Sequence, residues 1–298
     1  MQFFHETHID FVNWRRKAFL ISGLLILLSI ISLVAKGGPA LSVDFRGGVI
    51  LELRFHQPVT TEAIRSALDR TGYGKSEILN LGTPTDYLIN AEAKTQRDVT
   101  SDLKSAITQA MPENPYEILR EEMVGPKVGK ELARKAIWAT VISCGAMLVY
   151  IAYRFEFRFG VGAIASLVHD VVTVVGLFSI FNREISPAVI AAILTLVGYS
   201  VNDTIVVFDR IREDLRKYHR DSLEVVINRA INETLSRTII TSFTVFIVVV
   251  ILYFVGGEVL RDFSFAMIYG VVTGTYSSVF VAAPVLVEWN LRSPMRRK

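Results

Sequence analysis

The chain has 298 residues, of which 51% are hydrophobic and 20% are charged, and its mean hydropathy is +0.39. A mean this high over a chain of this length argues against a purely soluble protein and against disorder. The formal net charge of +3 provides no broad cationic surface, so no nucleic-acid partner is expected. The single cysteine, Cys144, has no partner for an intrachain disulfide and no neighbouring metal ligands, so no metal site is predicted.

Six apolar segments are long enough to cross a bilayer, whose hydrocarbon core requires about 20 helical residues. They predict membrane-spanning helices at 18–35, 136–153, 160–181, 188–208, 238–255 and 265–287. The predicted order is an N-terminal segment (1–17), the first helix, a sheet domain (36–135), five further helices (136–287) with a connecting loop (209–237), and a tail (288–298). The fold class is therefore an α-helical integral membrane protein with one small α+β domain between helices one and two.

The lysines and arginines predict the orientation of these helices. The side that holds both termini carries 16 basic residues, whereas the opposite side carries eight, most of them at the edges of the sheet domain. Because basic residues near span ends are retained in the cytoplasm, both termini are predicted to be cytoplasmic. The sheet domain then lies on the far side of the membrane.

The segment between the first two helices shows the patterns of a folded domain. Apolar residues alternate along a predicted first strand, at Val49, Leu51, Leu53 and Phe55. The complete order, strand–helix–strand–strand–helix–strand, is typical of a ferredoxin-like domain. Because it contains no catalytic motif, we predict an interaction domain and not an enzyme. The preceding glycine-rich motif predicts a flexible, bulged strand entry acting as a hinge, with Asp44, Phe45, Gly47 and Gly48.

Charged side chains within the membrane are costly, so each is a candidate functional group. Asp203 lies five residues before the end of the fourth predicted helix, about 7 Å from its cytoplasmic end. Arg237 lies at the start of the next, antiparallel helix, and the two can therefore share a depth and pair. A carboxylate beside arginine keeps its charge, whereas an unpaired one in apolar surroundings binds a proton more readily. The pair predicts a proton site, with a static ion pair that fixes helix register as the alternative.

Further polar groups are expected to support this site. They are His169, Asp170, Tyr199, Asn202 and Thr204. For His169 and Asp170 the alternative is a hydrogen-bonded packing pair. Between helices four and five, an apolar face and a cap at Asp221 and Glu224 predict an amphipathic helix lying flat on the membrane surface. That face comprises Leu223, Val226, Ile227, Ala230, Ile231 and Leu235.

Several of these segments resemble the SecD/SecF family of the bacterial Sec protein-export machinery, within the RND superfamily. Residues 197–213 resemble its fourth-span signature, and the motif at 43–48 resembles the one ahead of its periplasmic domain. The third, fifth and sixth spans also carry similar motifs, at 165–170, 235–242 and 263–278. The resemblance runs from about residue 8 to residue 290, and the short tail departs from it.

The resemblance implies a multi-pass inner-membrane accessory subunit that uses the proton-motive force to promote protein export. It implies a heterodimer with SecD, docking near the SecYEG channel, contact with the translocating preprotein, and YajC or YidC as further candidate partners. At the matching positions, Asp203 and Arg237 are implied to be the proton-coupling pair. No bound cofactor is expected, and sodium is the alternative coupling ion.

Two other functions are compatible with the residue patterns. A proton-driven RND-type exporter of lipid or small solute normally has two six-span halves and larger outer domains, whereas this chain has one half and one small domain. A non-transporting scaffold would not need Asp203 and Arg237 at one depth. The motif resemblance favours the Sec accessory subunit over both.

Overall fold

The computed structural model describes residues 7–93 and 98–292. Within these residues, six helices are long and apolar enough to cross a membrane, which agrees with the six predicted spans. The helices are α1 (Arg15–Ala35), α2 (Val43–Arg46), α3 (Thr61–Asp69), α4 (Val99–Ala110), α5 (Pro126–Arg154), α6 (Phe157–Ile180), α7 (Pro187–Lys217), α8 (Leu223–Val255), α9 (Gly257–Ser277) and α10 (Ala283–Arg292). A π-helical segment (Ser278–Ala282) joins α9 to α10, so the two form the sixth span.

The sheet domain has the predicted ferredoxin-like fold. Its strands are β1 (Gly48–Phe55), β2 (Glu77–Asn80), β3 (Asp86–Glu92) and β4 (Tyr116–Val124), in the antiparallel order β2-β3-β1-β4. The alternating residues of β1 are buried against α3 and α4, where Ile64 and Leu103 are fully buried. The Thr60 hydroxyl accepts a hydrogen bond from the Ala63 amide at 3.3 Å and caps α3.

The glycine motif before β1 is tightly packed, which differs from the predicted flexible entry. Asp44 and Phe45 lie in the short helix α2, and Phe45 is buried against the membrane helices. Gly47 has a φ of +89°, and a Cβ there would lie 2.7 Å from the Cα of Pro126. A Cβ on Gly48 would lie 2.1 Å from the carbonyl oxygen of Ala91. The glycines are therefore required because three backbone segments meet at this point; the hinge role stays a prediction.

The predicted boundaries of three helices were wrong. The second span begins at Pro126, so residues 126–135 are helical and not part of the sheet domain. Most of the predicted loop 209–237 is also helical, because α7 continues to Lys217 and α8 begins at Leu223. The cap of α8 is Ser222, whose hydroxyl accepts a hydrogen bond from the Val225 amide.

The predicted surface helix is the first part of α8 and packs into the bundle. Its apolar residues Val226, Ile227 and Ala230 are fully buried in the helical core. The N-terminal segment covers them, with the Ile9 amide donating to the Asn232 side chain at 2.9 Å. Because protein covers this apolar face, it is not free to lie on a membrane surface.

The sheet domain joins the membrane helices through a short backbone pairing. The Ser42 amide donates to the Ile185 carbonyl at 3.1 Å, and the Ile185 amide donates to the Ala40 carbonyl at 2.7 Å. Glu184 precedes this pairing, and its Oε2 is buried with no hydrogen-bond partner among the described residues. The pKa of the Glu184 carboxyl is raised from 4.5 to about 7, mainly by burial and next by the nearby charge of Glu77, with Arg46 opposing the shift.

This carboxyl is expected to make the junction sensitive to pH. The folded protein holds a proton on Glu184 up to about pH 7, whereas the unfolded chain releases it near pH 4.5. The free energy of unfolding should therefore fall by up to about 3 kcal/mol as pH rises through this interval. Thermal unfolding of the Glu184→Gln variant should lose this part of the pH dependence. Glu113→Gln, at an exposed turn, is the control. If the two variants change the pH dependence equally, Glu184 is not its source.

Candidate proton-coupling site

Asp203 is buried inside the membrane bundle. It lies on α7 and is 2% exposed, and its Oδ2 has no hydrogen-bond partner among the described residues. The Ser242 hydroxyl of α8 is close enough to interact with the carboxyl. Ser242 in turn accepts a hydrogen bond from the Tyr199 hydroxyl at 2.8 Å and lies 2.7 Å from Thr275 Oγ1. A buried carboxyl group beside hydroxyl groups is chemically able to take up and release a proton.

The predicted direct ion pair between Asp203 and Arg237 is not formed. Arg237 lies on α8 with its side chain exposed. None of the ion pairs within 4.0 Å that the described residues form joins these two side chains. The positive charge of Arg237 nevertheless acts on Asp203. The guanidinium is on the exposed face of α8, so a direct pair requires it to turn inward.

The other predicted residues fall on both sides of α7. Thr204 is buried beside Asp203, whereas Asn202 is exposed and points away from the carboxyl. Asn202 and Thr195 lie on the same exposed face of α7, and Arg237 and Thr244 are exposed on the neighbouring α8. Polar groups facing lipid are unfavourable. These four residues are called the exposed polar face, and they favour contact with protein over contact with lipid.

His169 and Asp170 form a separate buried cluster in the middle of α6. Each is 1% exposed, and His169 Nδ1 lies 2.9 Å from Asp170 Oδ1. The Ser200 hydroxyl of α7 and the Ser277 hydroxyl of α9 donate to Asp170 Oδ2 at 2.5 and 2.8 Å. The contacts of Ser200 with Asp170 were missed in the sequence because they join residues far apart in the chain. A serine within an apolar span was the only signal.

Close helix contacts hold these groups in place. A Cβ on Gly270 of α9 would lie 2.6 Å from Leu196 Cδ2, and one on Gly274 would lie 3.2 Å from Ser200 Cβ. The Gly270–Gly274 spacing therefore allows α9 to approach α7 closely. A second contact, between Gly176 of α6 and Ser29 of α1, was not predicted; a Cβ on Gly176 would lie 2.1 Å from Ser29 Cβ.

Six membrane helices around buried carboxyl groups, with a ferredoxin-like domain inserted after the first helix, define a multi-pass membrane protein. Residues 103–292 match the family described as "Protein export membrane protein SecD/SecF, C-terminal", and residues 31–59 match the "SecD/SecF GG Motif". The chain belongs to the SecD/SecF family.

Relatives match over the full chain. Proteins named "Protein translocase subunit SecF" are 44% identical in Rhodothermus marinus, over 100% of this chain and 98% of the relative. The protein of that name from Thermodesulfovibrio yellowstonii is 40% identical over 100% of both chains. The one from Endomicrobium trichonymphae is 39% identical over 100% of this chain and 96% of the relative.

Two solved structures share the fold. SecDF from Thermus thermophilus, a translocon-associated membrane protein, has a TM-score of 0.85 and 37% identity, covering 96% of this chain and 39% of that chain. SecDF in a super-membrane-facing form has a TM-score of 0.74 and 35% identity, covering 98% of this chain and 40% of that chain. This chain therefore spans about two fifths of the SecDF chains it matches.

Proposed function

We propose that this chain is an accessory subunit of the Sec protein translocase that works with SecD and uses the proton-motive force to promote protein export across the inner membrane. The observation that carries the proposal is the buried carboxyl group of Asp203, inside a membrane bundle with an exposed polar face. Relatives named as translocase subunits over the whole chain support the export role. The role is transport without enzymatic catalysis, the energy source is the proton gradient, and a sodium gradient is the alternative.

The test is preprotein translocation into vesicles that contain SecYEG, SecD and this chain. Export should increase when a proton gradient is imposed, and the increase should require both SecD and this chain. If a sodium gradient stimulates export when no proton gradient is imposed, sodium is the coupling ion. No dependence on either gradient would contradict the coupling.

SecD is the proposed partner on the exposed polar face. The SecDF chains are more than twice as long as this chain, and the part it does not cover leaves room for a second half. We expect SecD to co-purify with this chain. Replacing Asn202 by Leu should weaken the complex more than replacing the exposed Gly23 of α1 by Leu. A stable, fully active monomer would contradict this assembly. SecYEG, the translocating preprotein, and YajC or YidC are the further proposed partners.

Both termini are proposed to be cytoplasmic and the sheet domain periplasmic. A reporter enzyme fused after Lys298 should therefore be active on the cytoplasmic side. A reporter inserted at the exposed turn 83–85, between β2 and β3, should be active on the periplasmic side. The opposite pair of results would reverse the orientation.

A further inference from the structure

A second pair of titratable side chains lies in the bundle, apart from Asp203. Asp170 is held from three helices, by His169 of α6, Ser200 of α7 and Ser277 of α9. The Ser166 hydroxyl also contacts Ser277, at 2.8 Å. Both carboxylate oxygens are therefore fixed, and the carboxyl group cannot turn to find other partners.

One nitrogen of His169 is left without a partner. The Nδ1 atom faces the carboxylate, which assigns a proton to that nitrogen in the neutral imidazole. The Nε2 atom is then a bare acceptor; it is buried and has no hydrogen-bond partner among the described residues. If the two residues only packed the helices together, this buried nitrogen would normally have a hydrogen-bond partner.

The charge of the pair also favours an additional proton. An ionised Asp170 beside a neutral imidazole leaves one uncompensated negative charge in apolar surroundings, which is costly. Uptake of one proton at His169 Nε2 gives an imidazolium whose charge compensates the carboxylate. Because the two groups are in direct contact, this proton belongs to the pair as a unit.

The pair is connected through Ser200 to α7, the helix that carries Asp203. Ser200, which binds Asp170, and Asp203 are three residues apart, a rise of about 4.5 Å along the helix. Charges at short separation interact strongly when water is excluded. Two further titratable groups face the pair from α9. The Tyr269 hydroxyl interacts with Thr173 and electrostatically with Asp170. The centre of the Tyr276 ring lies 6.0 Å from that of the His169 ring.

We propose that His169 and Asp170 form a second proton-binding site, which exchanges one proton and is electrostatically coupled to Asp203 across one turn of α7. This inference rests on the proposed function, in which protons enter the bundle. It assigns a charge-carrying role to a cluster that otherwise only packs three helices together.

The test is nitrogen NMR of the complex with SecD, in which only the histidines of this chain carry nitrogen-15. The His169 signals are assigned by their loss in His169→Gln. Between about pH 5 and about pH 9, the His169 nitrogen signals should report the uptake of one proton by the pair. In Asp203→Asn the midpoint should shift by about half a pH unit or more, because a coupled charge has been removed. Asp209→Asn, whose side chain is exposed on α7, should leave the midpoint unchanged.

An export assay supplies the second measurement. Asp170→Asn keeps the shape but cannot ionise, and it should reduce gradient-stimulated export by about tenfold or more. Ser166→Ala is the control, since it removes a hydroxyl of the same cluster but no titratable group. A structural role predicts instead that both variants lower the yield of the complex in parallel.

The outcomes separate this inference from the proposed function. If His169 keeps one protonation state over the whole range, the pair only packs and the inference is wrong. If His169 titrates but Asp203→Asn does not move its midpoint, the coupling is wrong. If the titration and the shift are both observed but Asp203→Asn exports normally, the site stands and the proposed function fails.

Discussion

Replacing Asp203 by Asn should abolish the proton-dependent part of export and leave the gradient-independent part intact. The amide keeps the shape of the side chain and most of its hydrogen-bonding capacity, but it removes the group that can gain and lose a proton. Asp203 is 2% exposed, so its carboxyl group is shielded from solvent inside the bundle. The measurement is preprotein export into vesicles with and without a proton gradient. Asp209→Asn, on the same helix but exposed to solvent, is the matched control and should retain full stimulation.

Arg237→Met should also abolish the stimulated export, for a related reason. The substitution keeps the apolar stem but removes the positive charge that acts on Asp203. Without that charge, the buried carboxyl should hold its proton instead of alternating between two states. Arg237→Lys keeps a charge at the same position and should restore part of the stimulation. Expression should be unchanged in both variants. Because Arg237 belongs to the exposed polar face proposed to contact SecD, export is compared per complex recovered by co-purification.

The double variant Asp203→Asn, Arg237→Met distinguishes proton coupling from a static pair. If the two residues only fix helix register, each single change strands a charge and the double change should recover both assembly and export. If they couple protons, the double variant should show no stimulated export even in the complexes that it forms with SecD. Recovered export in the double variant would therefore contradict the proton-coupling assignment.

The sequence predicts the architecture well because the relevant signals are local. Six apolar runs identify six helices, and the alternation in β1 identifies the strand at the centre of the sheet. The depth of Asp203 stays a prediction, because α7 continues past the predicted end of the span to Lys217. The burial of that carboxyl group and of the His169–Asp170 pair agrees with the cost of exposing charge to lipid.

The features that the sequence analysis assigned wrongly are those that depend on which parts of the fold lie next to each other. The apolar face around Val226 and Ile227 has the same period whether it contacts lipid headgroups or other helices, so the sequence does not decide between them. Gly47 and Gly48 indicate a special backbone, but only the position of Pro126 shows that the reason is close packing. The inward or outward direction of Arg237 is likewise a tertiary property.

Replacing Gly176 by Ala should separate the first span from the third. A Cβ on Gly176 would lie 2.1 Å from Ser29 Cβ and 2.6 Å from Ser29 Cα, so α1 must move away from α6. Ser29 is 3% exposed and has little room to rotate. Overpacking of this kind typically costs about 1–3 kcal/mol, and backbone contact puts this site at the upper end. The thermal unfolding midpoint of the purified complex should fall by several degrees.

Gly23→Ala is the matched control for this change. It adds the same methyl group to α1, where a Cβ would have nothing within 4 Å, so the unfolding midpoint should stay the same or rise slightly. Ser29→Gly, combined with Gly176→Ala, removes the Cβ and hydroxyl of the opposing residue and should recover part of the loss. If Gly176→Ala is as stable as Gly23→Ala, the close contact between α1 and α6 is not present in the protein. If the loss occurs but Ser29→Gly does not reduce it, the clash is with the backbone of α1, and the two helices are held at a distance that only glycine at position 176 allows.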